Sequence, residues 1–341
     1  MLLVLAGCAD SEPEVSQPAT TTAAGSSTTS PSTTAASTTT SPPDAPFDIQ
    51  GHRGARGLQP ENTLPAFETA LDLGVTTLEL DLHFTADGRV VVWHDPIVHA
   101  DKCRLRETGT GADPATAEEA ELAIAGLTRD QLTVYDCNLN PDPGRFGEQV
   151  AAGTELAGDD YRIPTLDALF EFVAEYAAYP GKTPEQRAGA AVVEFNIETK
   201  RRPDSPQTIN DGFDGVAPGP FELAILEIVA QNGLADRVVI QSFDHRSLRA
   251  VRSVDESIRL AALTGRNEPF QEDFAEFADI WSPDYRSLSA GSLEAAHDAG
   301  LLVIPWTVNE TPDMKRLIDL GVDGLITDRP DLLVEVLTAE P

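Results

Sequence analysis

Short apolar runs alternate with amphipathic stretches from Phe47 to the end of the chain. Apolar runs bounded by Gly, Pro and Asp are typical of buried strands, and apolar residues that recur every three or four positions are typical of helices. Eight runs are predicted to be strands: Phe47–His52, Thr77–Leu82, Ala191–Ile197, Arg237–Gln241, Ile258–Leu263, Asp279–Trp281, Leu301–Trp306 and Gly324–Thr327.

Helical patterns lie between most of these strands. In the first, Asn62 is the expected N-cap and Gly74 the expected end. The others span Thr165–Ala178, Phe221–Asn232, His245–Val254, Leu293–Ala299, Pro312–Leu320 and Pro330–Leu337.

This repeated strand-then-helix order favours an α/β fold, a TIM (β/α)8 barrel formed by residues 47–341. The alternative is a doubly wound open sheet. That fold usually carries a glycine-rich phosphate fingerprint after its first strand, where this chain has HRGARG. Residues 97–162 interrupt the order and are rich in Gly, Asp and Pro. We expect this insertion near the C-terminal mouth of the barrel, as a lid, a binding surface or a decoration without function.

The first 46 residues have a different composition. Residues 1–8, MLLVLAGC, resemble the end of a bacterial lipobox, in which Cys8 would be lipidated; they lack the basic segment of a complete signal peptide. The alternative is an N-terminus that is apolar by chance. Residues 9–46, mostly Ser, Thr, Ala and Pro, are predicted to be a disordered stalk. We therefore expect an exported protein, either a cell-envelope lipoprotein or extracellular, that meets a membrane only through its lipid anchor.

Two further cysteines, Cys103 and Cys137, lie in the insertion. An even pair in an exported chain indicates a disulfide, with two free thiols as the alternative. The chain has no CxxC spacing, which argues against a metal site at these cysteines.

The net charge of −32 argues against two classes of partner. So acidic a chain is not expected to bind nucleic acid or to grip anionic lipid electrostatically. It indicates a solvated surface, with a high-salt habitat or recruitment of cations to the site as alternatives.

Glu79 and Asp81, in the segment LELDLHF, lie two residues apart and therefore on one face of a strand. Two buried like charges are unfavourable without a cation. Glu198 follows a third strand and completes a set of oxygen ligands that suits one divalent metal, Ca²⁺ or Mg²⁺. Pairing of these acids with Arg53, Arg56 or Lys200 is the alternative.

His52 ends the first predicted strand, His94 ends the short apolar run VVVW, and the two flank the acids in the sequence. Proton transfer near neutral pH requires groups such as histidine, and Arg53 and Lys200 can hold a phosphate. The residues alone thus favour metal-assisted attack on a phosphate diester. His83 is expected near the metal, and His99, His245 and His297 at the surface.

Taken in order, HRGARGLQPENTLPAF, LELDLHFTADGRVVVWHD, IPTLDALF, IETK, QSFD, WTVN and DGLITDRP resemble the motifs of the glycerophosphodiester phosphodiesterase family. The resemblance implies a TIM barrel, a divalent metal and hydrolysis of glycerophosphodiesters to sn-glycerol 3-phosphate and an alcohol. It also implies a cyclic phosphate intermediate, formed by attack of the neighbouring glycerol hydroxyl.

By the same resemblance, His52 and His94 are the acid/base pair, and Arg53 and Lys200 contact the phosphate. The metal ligands carried over are Glu79, Asp81 and Glu198, and Glu61 is expected to support them or to contact the metal occasionally. Trp306 is expected on the glycerol side of the mouth. Gln241 and Asn309 lie within the motifs but receive no specified role. Two alternatives stand beside this reading: a sphingomyelinase-D-like phospholipase on a related barrel, and a non-catalytic surface lipoprotein.

Overall fold

The computed structural model describes residues 46–107 and 109–339. Cys8 and residues 9–45 of the predicted stalk lie outside the described residues. Within the described part, no helix is long and apolar enough to cross a membrane.

Eight parallel strands form a barrel. They are β1 (Asp48–Gly51), β2 (Thr77–Phe84), β6 (Glu194–Thr199), β7 (Val238–Ser242), β8 (Arg259–Thr264), β9 (Ile280–Pro283), β10 (Leu302–Val303) and β11 (Gly324–Thr327). Their spatial order is β10-β9-β8-β7-β6-β2-β1-β11. Backbone hydrogen bonds from Asp323 N–H to Val303 O (3.0 Å) and from Ile326 N–H to Pro305 O (3.1 Å) link the two ends of this order. The prediction of a TIM barrel is confirmed, and the open sheet is not what forms.

Helices cover the outside of the barrel. They are α1 (Leu64–Leu73), α3 (Leu166–Ala178), α4 (Pro184–Val192), α5 (Pro220–Asn232), α6 (His245–Arg252), α7 (Ala290–Asp298), α8 (Thr311–Leu320) and α9 (Pro330–Thr338), and α2 (Arg129–Leu132) is a single turn in the insertion.

Two local predictions were wrong. The N-cap of α1 is Thr63, whose side chain accepts from Ala66 N–H, so the hydroxyl one residue later replaces the expected Asn62. Helix α4 was not predicted, and it takes Ala191 and Val192 from the expected third strand. Its Ala- and Gly-rich end carries little apolar periodicity, although Thr183 and Gln186 form a capping box at its start. The expected end of α1 is confirmed, because Gly74 has the left-handed φ of 81°.

The alternation within β2 separates the core from the site. Leu78, Leu80 and Leu82 are fully buried against the helices, and each such side chain contributes about 1.5–3 kcal/mol of burial. Glu79 and Asp81 lie on the opposite face, inside the barrel, where they are also buried. The burial of these leucines offsets part of the free energy that burying two acids in the barrel interior costs.

The insertion carries an apolar cluster of its own, although its regular elements are short. β4 (Arg104–Leu105) pairs antiparallel with β5 (Tyr135–Asp136). The predicted disulfide Cys103–Cys137 lies beside this pair and joins residues 34 positions apart. Trp93, Ile124 and Tyr135 are among the buried side chains of this cluster. The insertion is therefore a packed unit, anchored on the residues that follow β3 (Val90–Val92), a strand antiparallel to β2.

Candidate active site

The turn after β1 brings the backbone to the acids. Arg53 and Gly54 both have positive φ, 54° and 82°. A Cβ on Gly54 would lie 2.6 Å from the carbonyl carbon of Ala66, so only glycine fits this approach of the turn to α1. The turn directs the N–H of Arg53 to Oε2 of Glu79, at 2.9 Å. The HRG segment thus brings the backbone close to Glu79 and also supplies side chains to the site.

Strand register assembles the three acids. In the β2–β6 pair, Asp81 lies opposite Glu198, and Glu79 lies two residues earlier on the same face. Ligand atoms of all three carboxylates lie within 4.8 Å of one another. Burial, together with the charges of Asp81 and Glu198, raises the pKa of Glu79 well above its usual value. The ionised form of Glu79 is therefore unfavourable beside two other carboxylates unless a further positive charge lies close to it.

Two neutral amide side chains donate hydrogen bonds to the acids and fix their orientation. Gln241 Nε2 donates to Oε1 of Glu79 at 2.8 Å, and its own Oε1 accepts from Asn196. Asn62 Nδ2 donates to Oδ2 of Asp81 at 2.8 Å. Asn62, expected as a helix cap, therefore orients an acid instead, and Gln241 gains a defined role.

Two cations also reach the cluster. Arg53 Nε lies 3.0 Å from Oδ2 of Asp81, and Lys200 Nζ lies 2.8 Å from Glu198 and 3.3 Å from Asp81. The alternative of pairing with basic residues is thus realised in part. Glu79, however, has no Lys or Arg side-chain partner among the described residues. Oδ1 of Asp81 is the oxygen that lies 3.3 Å from Lys200 Nζ, but it accepts no hydrogen bond from any described residue. Three carboxylates with such oxygens fit a hard divalent cation such as Ca²⁺ or Mg²⁺.

His52 forms a buried pair with an acid from the other end of the chain. Its Nδ1 lies 2.6 Å from Oδ1 of Asp328, and its Nε2 lies 3.8 Å from Oε2 of Glu79. Asp328 also accepts from Arg56 at 2.7 and 2.9 Å and from Asn309 at 2.7 Å. Burial, aided by Arg56 and Arg53, lowers the pKa of His52 to about 4, although Asp328 opposes this shift. The imidazole is therefore neutral at pH 7.

His94 forms a second pair on the other side of the acids. Trp93 N–H donates to Asp81 O at 2.9 Å, which places the next residue beside the cluster. His94 Nδ1 lies 2.6 Å from Oδ1 of Asp95. Burial and the cations Arg53 and Lys200 lower the pKa of His94 to about 3, against the opposing effect of Asp81 and Asp95.

Lys102, from the insertion, ties Glu61 to this second pair. Its Nζ lies 2.8 Å from Oε1 of Glu61 and forms an ion pair with Asp95. Glu61 also accepts from Nη1 of Arg53 at 3.0 Å. Ligand atoms of Glu61 group with those of His94 and Asp95 and not with the three-acid cluster. Glu61 therefore acts on Arg53 and, through Lys102, on Asp95.

These groups share one cavity of about 400 Å³ at the C-terminal ends of the strands. Trp306 lines it, donates its ring N–H to Ser282 O, and packs edge-on against Phe243 at 5.5 Å between ring centroids. Lys102 and Arg145 of the insertion also line it. The prediction that residues 97–162 lie near the mouth is confirmed.

The other histidines lie outside this chemistry. His83 is buried, and its Nε2 lies 3.1 Å from His94 O, so it helps to hold the backbone of His94 in place. Burial lowers its pKa to about 4. His245 and His297 are half-buried and not at the open surface, since His245 bonds Leu263 O and His297 bonds Asp323. His99 is also half-buried.

Four contributors were not assigned from the sequence: Asp328, Asp95, Asn62 and Lys102. The first three lie in the segments DGLITDRP, LELDLHFTADGRVVVWHD and HRGARGLQPENTLPAF, so their positions next to a candidate histidine or a strand end were an available signal. Lys102 lies in a segment without periodicity, and no feature of the sequence distinguishes it from the other basic residues of the insertion.

Comparison with known proteins agrees with this geometry. The model of the glycerophosphoryl diester phosphodiesterase family matches residues 52–332. A glycerophosphodiester phosphodiesterase of Caldanaerobacter subterraneus subsp. tengcongensis is 29% identical over 292 residues, covering 85% of this chain and 97% of that protein. One of Bacillus subtilis is 29% identical over 302 residues, covering 84% of each.

Solved structures show the same fold. A putative glycerophosphoryl diester phosphodiesterase of Silicibacter pomeroyi superposes with a TM-score of 0.69 and 26% identity, covering 86% of this chain and 94% of that one. A phosphodiesterase of Oleispira antarctica, solved in complex with the product sn-glycerol-3-phosphate, superposes with a TM-score of 0.61 at 18% identity, covering 86% and 97% of the two chains. The barrel, the acid cluster and these matches together place the chain in the glycerophosphoryl diester phosphodiesterase family, whose members hydrolyse glycerophosphodiesters.

Proposed function

We propose that this phosphodiesterase cleaves glycerophosphodiesters to sn-glycerol 3-phosphate and an alcohol by metal-assisted acid/base catalysis, with His52 and His94 moving the protons. One observation carries the proposal: two histidine–carboxylate pairs flank a three-acid cluster in a single cavity. Because each Nδ1 is engaged by a carboxylate, each Nε2 is the nitrogen left to exchange a proton.

Glu79, Asp81 and Glu198 would hold one divalent metal, Ca²⁺ or Mg²⁺. When bound, the ion neutralises charge on the phosphate and orients the reacting oxygens. Arg53 and Lys200, already within 3.3 Å of the acids, supply fixed positive charge on the same side.

His52 suits the base. Neutral at pH 7 and held by Asp328, it removes the proton from the glycerol hydroxyl next to the ester, and that oxygen attacks phosphorus. The bond to the leaving alcohol breaks, and His94 donates a proton to the departing oxygen. Water then opens the five-membered cyclic phosphate to give sn-glycerol 3-phosphate. Both reacting groups belong to one substrate molecule, so the attack has the advantage of proximity.

The acid role requires a protonated His94. Arg53 and Lys200 are among the causes of its lowered pKa. A phosphodiester anion bound between these cations offsets their charge, so substrate binding raises the pKa of His94 in the direction that an acid needs.

The experiment compares His52→Ala and His94→Ala on two substrates. On glycerophosphocholine, each variant should lose about 10²–10⁴-fold in kcat. A nitrophenyl ester that keeps the glycerol hydroxyl has a good leaving group, so it should rescue His94→Ala and not His52→Ala. Equal rescue of both variants would contradict the division of roles. Turnover of sphingomyelin in place of glycerophosphocholine would favour the sphingomyelinase-D-like alternative, and no turnover at all the non-catalytic one.

We also propose that the mature protein is exported and tethered through Cys8. The support is the LAGC segment followed by the Ser/Thr/Pro-rich residues 9–46, together with a disulfide of the kind that persists in oxidising compartments. Detergent-phase partitioning of protein expressed from an extended upstream start, and its loss in Cys8→Ser, tests this. Aqueous partitioning of both forms would refute the tether.

A further inference from the structure

Two arginines lie at the rim of the cavity and belong to neither histidine pair. Arg145 comes from the insertion, and Arg202 comes from the loop that follows β6. The side chain of Arg145 is 53% exposed, and Arg202 is exposed. Two separate segments of the chain thus deliver cationic groups to the entrance of one pocket.

Neither guanidinium is matched by a carboxylate of its own. Among the described residues, Arg202 has no carboxylate partner within ion-pair distance, and its guanidinium lies 4.8 Å from the centroid of the Phe243 ring. Arg145 lies 3.5 Å from Oδ2 of Asp328, an oxygen that Arg56 and Asn309 already bind at 2.9 and 2.7 Å. The rim therefore holds positive charge that remains available to a ligand.

The cavity offers little to a cationic head group. Asp95 lines it but is engaged by His94 and Lys102, and Glu79 and Glu198 belong to the metal cluster. A quaternary ammonium needs an open aromatic face. The ring of Phe243 is approached by Arg202 on its face and by Trp306 at an edge-on angle of 89°. Trp306 is then the one remaining Phe, Tyr or Trp ring among the residues that line this pocket, and a single ring does not form a cage around an ammonium.

The diester phosphate has its cations deeper in the site, at Arg53 and Lys200 next to the acid cluster. Arg145 and Arg202 are then left to contact the part of the bound substrate that extends toward the mouth. In a protein of net charge −32, these two arginines place positive charge on the path of an anionic substrate into the pocket.

We propose that Arg145 and Arg202 select glycerophosphodiesters whose leaving alcohol carries a second phosphate, such as a phosphorylated polyol. This inference rests on the proposed function and names its substrate class. Guanidinium groups suit the role because they offer a fork of donors to phosphate oxygens.

The test measures kcat/KM for three substrates: glycerophosphoinositol 4-phosphate, glycerophosphoinositol and glycerophosphocholine. In the wild type, the phosphorylated inositol substrate should exceed the unphosphorylated one about tenfold at low ionic strength. Arg145→Gln and Arg202→Gln should each reduce this ratio about three- to tenfold. Raising the ionic strength from about 0.05 to 0.5 M should also reduce it, because the rim is solvent-exposed and screened by salt. Arg104→Gln is the matched control, since Arg104 is an exposed arginine of the insertion that does not line the cavity, and the ratio should not change.

A wild-type ratio of one or less, faster turnover of glycerophosphocholine than of the phosphorylated substrate, or variants that slow both inositol substrates equally would overturn this inference while leaving the proposed function intact. Absence of hydrolysis with all three substrates would overturn both.

Discussion

Oδ1 of Asp328 lies 2.6 Å from Nδ1 of His52, and this contact fixes which nitrogen of the imidazole faces the cavity. The same carboxylate is held by Arg56 and Asn309, so it cannot turn away from the histidine without losing several charged hydrogen bonds.

Asp328→Asn should therefore reduce kcat on glycerophosphocholine by about 10–100-fold with a small change in KM, because a positioning partner of a histidine base is lost. Asp323→Asn is the control. Asp323 also contacts a histidine, His297, at 2.9 Å, but lies outside the active-site cavity. Its loss should affect the melting temperature and leave kcat near the wild-type value. Equal kcat for Asp328→Asn and wild type would show that Asp328 does not position His52.

Glu79→Gln should weaken the affinity for the divalent metal, and high metal concentration should restore part of the activity. The raised pKa of Glu79 indicates that its negative charge is unfavourable without a cation. The glutamine amide keeps the shape of the glutamate side chain but removes the charged ligand. Isothermal titration with Ca²⁺ or Mg²⁺ measures this directly. Glu68→Gln, a buried acid bound by Lys182 outside the cavity, should lower stability without changing metal affinity. Full turnover after exhaustive chelation would rule out the metal.

Lys102→Met should lower kcat about tenfold or more, because Asp95 and Glu61 lose the ammonium that joins them. Methionine keeps the apolar length of the side chain and removes its charge. If Lys102 acts only on folding, kcat of the folded fraction will equal that of the wild type. Titrating active sites with a tight-binding inhibitor separates these outcomes.

Replacing Cys103 and Cys137 by Ser should destabilise the insertion by about 3–4 kcal/mol in the chain-entropy model for a loop of 34 residues. Because Cys103 directly follows Lys102, loosening it also loosens a residue that lines the site. We therefore expect activity to fall and the backbone amides of the insertion to exchange hydrogen faster. Unchanged exchange in residues 97–162 would show that the apolar cluster around Trp93 and Ile124 suffices to hold the insertion.

Glu61→Gln should alter the acid stability of the protein. Burial acts to raise the pKa of Glu61, but Arg53, Lys102 and Arg56 outweigh it and lower the pKa to about 2. A carboxyl whose folded pKa is depressed adds stability above its unfolded pKa of about 4.3, and that stability disappears as the pH falls toward 2. The variant should thus be less stable than the wild type at pH 7, with a gap that narrows between about pH 4 and 2. Urea unfolding at several pH values measures the gap. A gap that stays constant over this range would contradict the shift.

The barrel and the grouping of the three acids were predictable because strand alternation and the repeated strand–helix order are local signals. Glu79 and Asp81 follow from the alternation within one strand and Glu198 from its place at the end of another, and the Leu residues between the first two acids mark the opposite face. Helix α4 was missed because its end lacks an apolar stripe. Lys102 was missed for a different reason: its position depends on the fold of an aperiodic loop, which local patterns do not determine. Asp328 depends on the closing strand β11 lying beside β1, a long-range relation.

The pairing of the first and last barrel strands, β1 and β11, determines when during translation the His52–Asp328 pair can form. Asp328 follows His52 by 276 positions in the chain. At about 5–20 residues per second, the ribosome needs about 14–55 s to add them. During that interval the nascent polypeptide has its histidine but not the carboxylate that orients it. A truncated translation product that stops before β11 would lack this pair, so the proposed acid/base machinery is complete only when nearly the whole chain has been made.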